Sequence, residues 1–233
     1  MAQSKPIENS QKLAAEIAGR LRALPNLRTE DIRALRREFS KRISKTSPRV
    51  VVEAAFRLMD SSAIEHRFVA YELVCKHPAA LASVGVREIK RFGRGIDSWG
   101  SVDMFACYLS GPAWREHQIP DRLIHSWARS ENRWWRRAAL VSTVPLNNKA
   151  RGGSGDTART VEVCRMLIDD RDDMVVKALS WALRELSKRN PQAAEIFLNE
   201  HENVLAARVV REVRNKLSTG LKTPRFKNIG KRA

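Results

Sequence analysis

The feature that most constrains this chain is a spacing. Apolar residues recur with the helical period almost throughout, and Gly and Pro are sparse. The second helix of each successive pair is expected to begin near Ser62, Ser98, Arg133, Asp173 and Asn203. These starts lie 30 to 40 residues apart, near the roughly 40 of a two-helix HEAT-like unit. One such pair cannot bury its apolar face alone, so neighbouring pairs must stack, and the concave side of the stack is the usual binding surface. The expected fold is all-α: HEAT-like two-helix repeats forming one curved solenoid with a basic concave face over residues 1–221, then a basic, disordered tail over 222–233. Similarity between the units is weak, and a plain helical bundle is the alternative.

Local punctuation supports the helices. Ile7 to Leu24 is a first helix ended by Pro25. Thr29-Glu30-Asp31 opens a second, running to about Ile43, and Ser47-Pro48 opens a third through Met59, with Pro in the first turn where it fits. Ser61 or Ser62 caps a fourth, Ala63 to Cys75. The stretch Ala79–Gly95 is broken by glycines and carries Arg87, Lys90, Arg91 and Arg94. An apolar helix follows, ended by Gly111-Pro112, and then a short helix from Asp121 to Arg129. Asn132 can cap a helix from Arg133 to Val144, and Lys149–Asp156, with Arg151-Gly152-Gly153-Ser154-Gly155, is expected to be a flexible loop. Thr160–Ile168, Asp173–Lys188, Pro191–Leu198 and Asn203–Leu217 complete the helices.

Charge speaks to partners. With 43 Lys+Arg against 26 Asp+Glu the formal net charge is +17, which predicts salt-dependent attraction to polyphosphate, with an anionic membrane as the competing partner. No run approaches the roughly 18 apolar residues of a membrane span, and the opening residues, lacking a charged-then-apolar pattern, are not expected to be a leader. Cys75, Cys107 and Cys164 lie in apolar helical patterns without metal-ligand spacing and are expected to be buried thiols in a reducing compartment. The expectation is a cytoplasmic, monomeric protein that binds nucleic acid. The five His form no triad or metal pattern; His66 and His125 are expected to be satisfied locally. Gly152-Gly153-Ser154-Gly155 follows no strand and lacks the Lys of a P-loop.

Helical phase separates core from surface. On Asp173–Lys188, Met174, Val175, Ala178, Leu179, Ala182, Leu183 and Leu186 make one face, while Lys177, Trp181, Arg184 and Lys188 fall nearly opposite. An indole among cations can contact sugar or base while its neighbours hold phosphate, or it can cover a neighbouring repeat. On the last helix Val209, Val210, Val213 and Leu217 oppose Arg208, Arg211, Arg214 and Asn215, and the two stripes together suggest a track for DNA, to which Lys90 and Arg94 add. In Asn132-Arg133-Trp134-Trp135-Arg136-Arg137-Ala138-Ala139-Leu140, Trp134 is expected in the core. Arg136 and Arg137 can pair with a buried carboxylate or clamp a phosphate.

The sharpest signal is Asp97-Ser98-Trp99-Gly100-Ser101-Val102-Asp103 leading into Met104-Phe105-Ala106-Cys107-Tyr108-Leu109. Trp99 and Asp103, four apart, share a helix face. A carboxylate entering an apolar element needs a partner or a purpose. A structural ion pair and a reactive site are both open.

Trp99-x-x-x-Asp103, Arg133-Trp134-Trp135-Arg136-Arg137-Ala138-Ala139 and Lys177-Ala178-Leu179-Ser180-Trp181-Ala182-Leu183-Arg184-Glu185, in that order, resemble the AlkD family of HEAT-like DNA alkylation repair glycosylases. The resemblance spans Asp97 to Leu217; residues 151–156 then look like an insertion, and the N-terminal third is similar only in being helical and basic. It implies Asp103 as the catalytic aspartate, Trp99 and Trp181 as the tryptophans of the cleft, and Arg137 as the active-site arginine, with Arg136 the alternative register. It further implies a duplex-DNA substrate with purines alkylated at N3 or N7, release of the free base, and no metal or cofactor. A non-catalytic binder of distorted or branched DNA and a protein-interaction scaffold are the competing readings.

Overall fold

The computed structural model describes residues 9–25, 27–61 and 63–224. The described residues are all-α, as the periodicity predicts. They fall into two compact units, Met1–Leu123 and Ile124–Ala233. The first holds α1 (Ser10–Arg22), α2 (Thr29–Arg42), α3 (Pro48–Met59), α4 (Ile64–Cys75), α5 (Pro78–Ala82), α6 (Val86–Phe92), α7 (Trp99–Phe105), a π-turn (Ala106–Ser110) and α8 (Gly111–Arg115). The helix α9 (Asp121–Ala128) carries the chain from one unit into the other. The second holds α10 (Arg133–Ser142), α11 (Val144–Asn147), a 3-10 turn (Lys149–Arg151), α12 (Thr157–Arg165), α13 (Asp173–Leu186), α14 (Pro191–His201) and α15 (Ala207–Thr219).

In the first unit α1 packs on α3, and α3 on α4, which also meets α2, α7 and the π-turn. The helices therefore form two layers, α1/α3 and α2/α4/α7. Leu13, Ile17 and Leu21 of α1 and Ile32, Leu35 and Phe39 of α2 supply apolar stripes at three- and four-residue spacing. The centre is aromatic: Phe92 lies 4.3 Å from Phe56 and 6.0 Å, edge-on, from Tyr71. Tyr71 is wholly buried, so its hydroxyl must be satisfied; it donates to the Phe92 carbonyl at 2.7 Å and accepts from Arg67 at 2.8 Å. Burial pushes its phenol up to about 12, against the pull of Arg67.

Gly111-Pro112 does not end the helix that begins at Trp99. Proline stops an α-helix by removing a donor and crowding the preceding turn. Here the preceding turn is π: the Gly111 N–H bonds to the Ala106 carbonyl, and Ser110 (φ −67°, ψ −41°) and Gly111 (φ −65°, ψ −49°) keep helical angles. Pro112 therefore opens a further turn, and the helical path runs unbroken from Trp99 to Arg115. Its far end is anchored by Trp114, fully buried, with Nε1 donating to Asp121 at 2.7 Å.

In the second unit α10, α13 and α15 lie side by side, with α12 and α14 behind α13. The predicted core face of α13 is buried except for half-exposed Met174, and Asp172 caps its first turn at Met174 N, 2.9 Å. The Gly-rich stretch is fastened rather than flexible. Arg189 donates to the carbonyls of Asn147 and Gly153, both at 2.8 Å, and Gly155 N bonds to the Leu146 carbonyl at 2.9 Å. Buried Asn147 ties the loop to Thr143, Thr160 and the Asp156 amide. Gly153 is required, because a Cβ there would stand 2.4 Å from the Pro145 carbonyl oxygen. The last helix begins at Ala207, later than Asn203, after a turn that buries Leu205. Of the basic tail, residues 225–233 lie outside the described residues, as does Ser62, one of the two candidate caps.

Candidate functional site

The head of α7 is built by two serines. Ser98 Oγ accepts from Ser101 N at 3.3 Å, and Ser101 Oγ accepts from the amides of Asp97 and Ser98, each at 3.2 Å. This closed cap fixes where the helix starts, and so the direction in which its first residue points. That residue is Trp99, 63% exposed, the most exposed of the large hydrophobic side chains among the described residues. Around Gly100 the space is open. One turn on, Asp103 is half-buried rather than buried, while Val102 and Phe105 beside it are fully enclosed. The carboxylate thus emerges from the core at a surface that carries an uncovered indole.

The other motifs sit in the second unit. Arg137 is buried and donates to the Met174 carbonyl at 2.6 Å, joining α10 to the first turn of α13. Arg136, a candidate DNA contact, is instead consumed locally: Nε meets Asp170 at 2.6 Å, and Nη1 caps the carbonyls of Ser130 (3.0 Å) and Glu131 (2.7 Å). Trp134, expected in the core, is half-buried with the Arg133 guanidinium 4.7 Å from its ring centre, and Trp135 packs 4.9 Å from Trp127. The tandem pair divides between a cation and another indole because successive residues on a helix point about 100° apart.

Trp181 is half-buried on the face of α13 predicted for it. Its cationic neighbours are largely neutralised. Lys177 pairs with Asp173 at 2.6 Å and Lys188 with Glu185 at 2.6 Å. Arg184 lies against Ser180 Oγ at 3.2 Å and 3.9 Å from Glu212; burial lowers its pKa, opposed by Glu212 and Glu185. On α15, Arg208 reaches Asp173 at 2.8 Å and Arg214 reaches Glu202 at 2.5 Å, whereas Arg211 is exposed and makes no ion pair with a described residue. Lys90 and Arg94 are exposed beside α6, whose Arg91 stacks 3.9 Å over Phe56. The cationic stripes therefore exist as directions, but fewer of their charges are available to phosphate than their number suggests.

One cluster had no sequence signal. Glu72, buried on α4, holds Arg33 and Arg36 of α2, partners 39 and 36 residues away that no local pattern connects. Cys107 and Cys164 are buried, with the Cys164 thiol pushed upward by burial, and Cys75 is only half-buried. His66 is buried; His125 stands 3.5 Å from Glu162. Among the described residues no three His, Cys, Asp or Glu are grouped to hold a metal ion, and no helix is long and apolar enough to cross a membrane.

A family model described as DNA alkylation repair enzyme matches residues 12–217. Among solved structures, the chain is similar to a predicted DNA alkylation repair enzyme from Enterococcus faecalis. The two share 18% identity over 91% of this chain and 98% of that one, with a TM-score of 0.66. At that identity the likeness is one of fold. No curated protein matches the chain.

Proposed function

The chain belongs to the DNA alkylation repair enzyme family, and from that premise we propose that it is a DNA glycosylase that hydrolyses the N-glycosidic bond of N3- or N7-alkylated purines in duplex DNA. Membership itself implies DNA as the partner. The observation that carries the finer reading is the head of α7, where the widely exposed Trp99 stands one turn from half-buried Asp103 on a helix whose Ser101, Val102 and Phe105 are enclosed.

Alkylation at N3 or N7 makes the purine cationic, so the base is already a good leaving group. The C1′–N bond breaks with its electron pair going to the base, which departs neutral, and positive charge grows on the sugar. Water adds at C1′, and its proton passes to the Asp103 carboxylate and on to solvent. An ionised Asp103 therefore acts twice, opposing the oxocarbenium charge and taking the proton. The face of Trp99 adds cation–π stabilisation of the same charge. Both groups matter more in the transition state than in the ground state, which is the condition for raising the rate. Arg137 and Trp181 enter the proposal through the family motifs that contain them. The substrate's leaving group is activated by its own charge, so backbone and sugar contacts suffice and full flipping of the base is not required.

The test is single-turnover excision from methylated duplex. Asp103→Asn should fold, hold alkylated duplex with near wild-type affinity, and lose about 100-fold or more in rate, the scale of a positioned base. An Asn variant that releases N3- or N7-methylpurine at the wild-type rate ends the assignment. Wild-type protein that binds the duplex and releases no base would be the non-catalytic binder.

A further inference from the structure

We propose that Arg33 is a phosphate clamp of the Met1–Leu123 unit, gripping the backbone of the strand on which Asp103 acts; this deepens the glycosylase reading and rests on it. The sequence offers only two arginines three apart on α2. The fold sets them against a single buried acid, Glu72, whose side chain is 4% exposed. Arg36 is the inner partner, with Nε 2.8 Å from Glu72 and Nη1 3.4 Å from Ser40 Oγ. Arg33 is the outer one, its Nε at 3.4 Å from the other carboxylate oxygen. Two guanidinium groups share one carboxylate, so the cluster keeps one unit of positive charge, and that excess belongs to the exposed member.

Arg33 is also shaped for a ligand. Its guanidinium carbon lies 5.4 Å over the Phe68 ring, which meets Tyr108 edge-on at 6.2 Å, and its Nη2 reaches the Tyr108 hydroxyl at 3.5 Å. That last distance is too long for a tight bond. The fork is thus held at Nε, supported on one face and guided at its tip, while the side chain remains 44% exposed. A guanidinium ordered before its ligand arrives loses less entropy on binding, and its planar edge suits two phosphate oxygens at once.

Tyr108 links the clamp to Asp103. They are five residues apart on the unbroken helical path, about 7.5 Å along the axis at 1.5 Å per residue. Tyr108 lies within the π-turn, whose i→i+5 bonding turns the chain less per residue than an α-turn and brings i and i+5 nearer in phase. A strand whose sugar stands over Asp103 would therefore carry a neighbouring phosphate toward Arg33. A structural triad alone would also place these side chains together, and the two differ in what titrates with salt.

The experiment measures affinity for undamaged duplex across a salt series, with melting as a control. Arg33→Gln should weaken binding about tenfold near 0.1 M salt and lower the salt slope by about one, the signature of one lost phosphate contact. Arg33→Lys should keep the slope and recover only part of the affinity, since an ammonium cannot present the fork. Lys12→Gln removes the same charge from exposed α1 in the other layer and should change neither quantity appreciably. Equal losses for Lys12→Gln and Arg33→Gln, or an unchanged slope for Arg33→Gln, overturn the clamp. Excision by wild-type protein is scored in parallel: a clamp that passes beside a wild type that releases no base would sink the glycosylase reading alone.

Discussion

Replacing Trp99 by Ala tests whether the exposed indole is there for packing or for substrate. A fully buried tryptophan removes up to about 250 Å² from water. Trp99 is 63% exposed, so roughly a third of that area is covered. At about 25 cal/mol per Å² the contact is worth at most about 2 kcal/mol, an upper bound because the unfolded chain also covers some of it. For a chain of this length that corresponds to a drop in Tm of less than about 8 °C. Trp114, fully buried farther along the same helical path, supplies the contrast: its truncation should cost about 3–5 kcal/mol and remove its hydrogen bond to Asp121 besides. If Trp99 faces the developing sugar cation, its loss removes about 0.5–2 kcal/mol of transition-state stabilisation, a roughly 2- to 30-fold slower single-turnover excision. Trp99→Phe keeps a ring face and should recover much of the rate. The reasoning is refuted if Trp99→Ala melts as early as Trp114→Ala, or if it excises methylpurine at the wild-type rate.

Gly153→Ala should destabilise the second unit by about 1–3 kcal/mol or more, because the added methyl meets backbone atoms at 2.4–2.6 Å that cannot swing away; thermal melting with an unchanged midpoint would show the loop to be loose after all. Arg136→Gln should cost about 3 kcal/mol by stranding the nearly buried Asp170 while leaving the salt slope of DNA binding alone. Arg211→Gln should do the reverse, melting within about 0.5 kcal/mol of wild type and lowering the slope by about one. Finding the two behaviours exchanged would reverse which of these arginines is structural.

Local chemistry was legible wherever it was sufficient. Asn132 accepts from Trp134 N at 2.8 Å, Ser47 caps the Pro48 helix, and Thr29 opens α2, because a cap and its helix are settled within four residues. The sharing of a face by Trp99 and Asp103, and the core stripe of α13, follow from helical phase in the same way. What needed partners far along the chain was not legible. Arg136 looked available because Asp170 is 34 residues away, and Arg184 because Glu212 lies on the next layer helix. The Gly-rich stretch looked loose because Arg189, which fastens it, belongs to the turn beyond α13. The proline at 112 looked like a stop because a π-turn has no signature in composition. Asp103 itself was legible as a residue in search of a reason; its half-burial, which leaves it open to water, was not.

The π-turn also determines where this helix tolerates a change of length. In an α-helix, losing one residue rotates everything beyond it by about 100°, which would swing Trp99 and Asp103 away from the direction set by the buried anchor Trp114. A wide turn holds one residue more than an α-turn over the same stretch of axis. A one-residue deletion within Ala106–Ser110 can therefore close the turn to ordinary α geometry with both ends still facing as they do now. The same deletion a few residues earlier, between Trp99 and Asp103, has no such slack to draw on and would detune the carboxylate from its indole. The helix has a single expansion joint, and the residue it carries there is Tyr108.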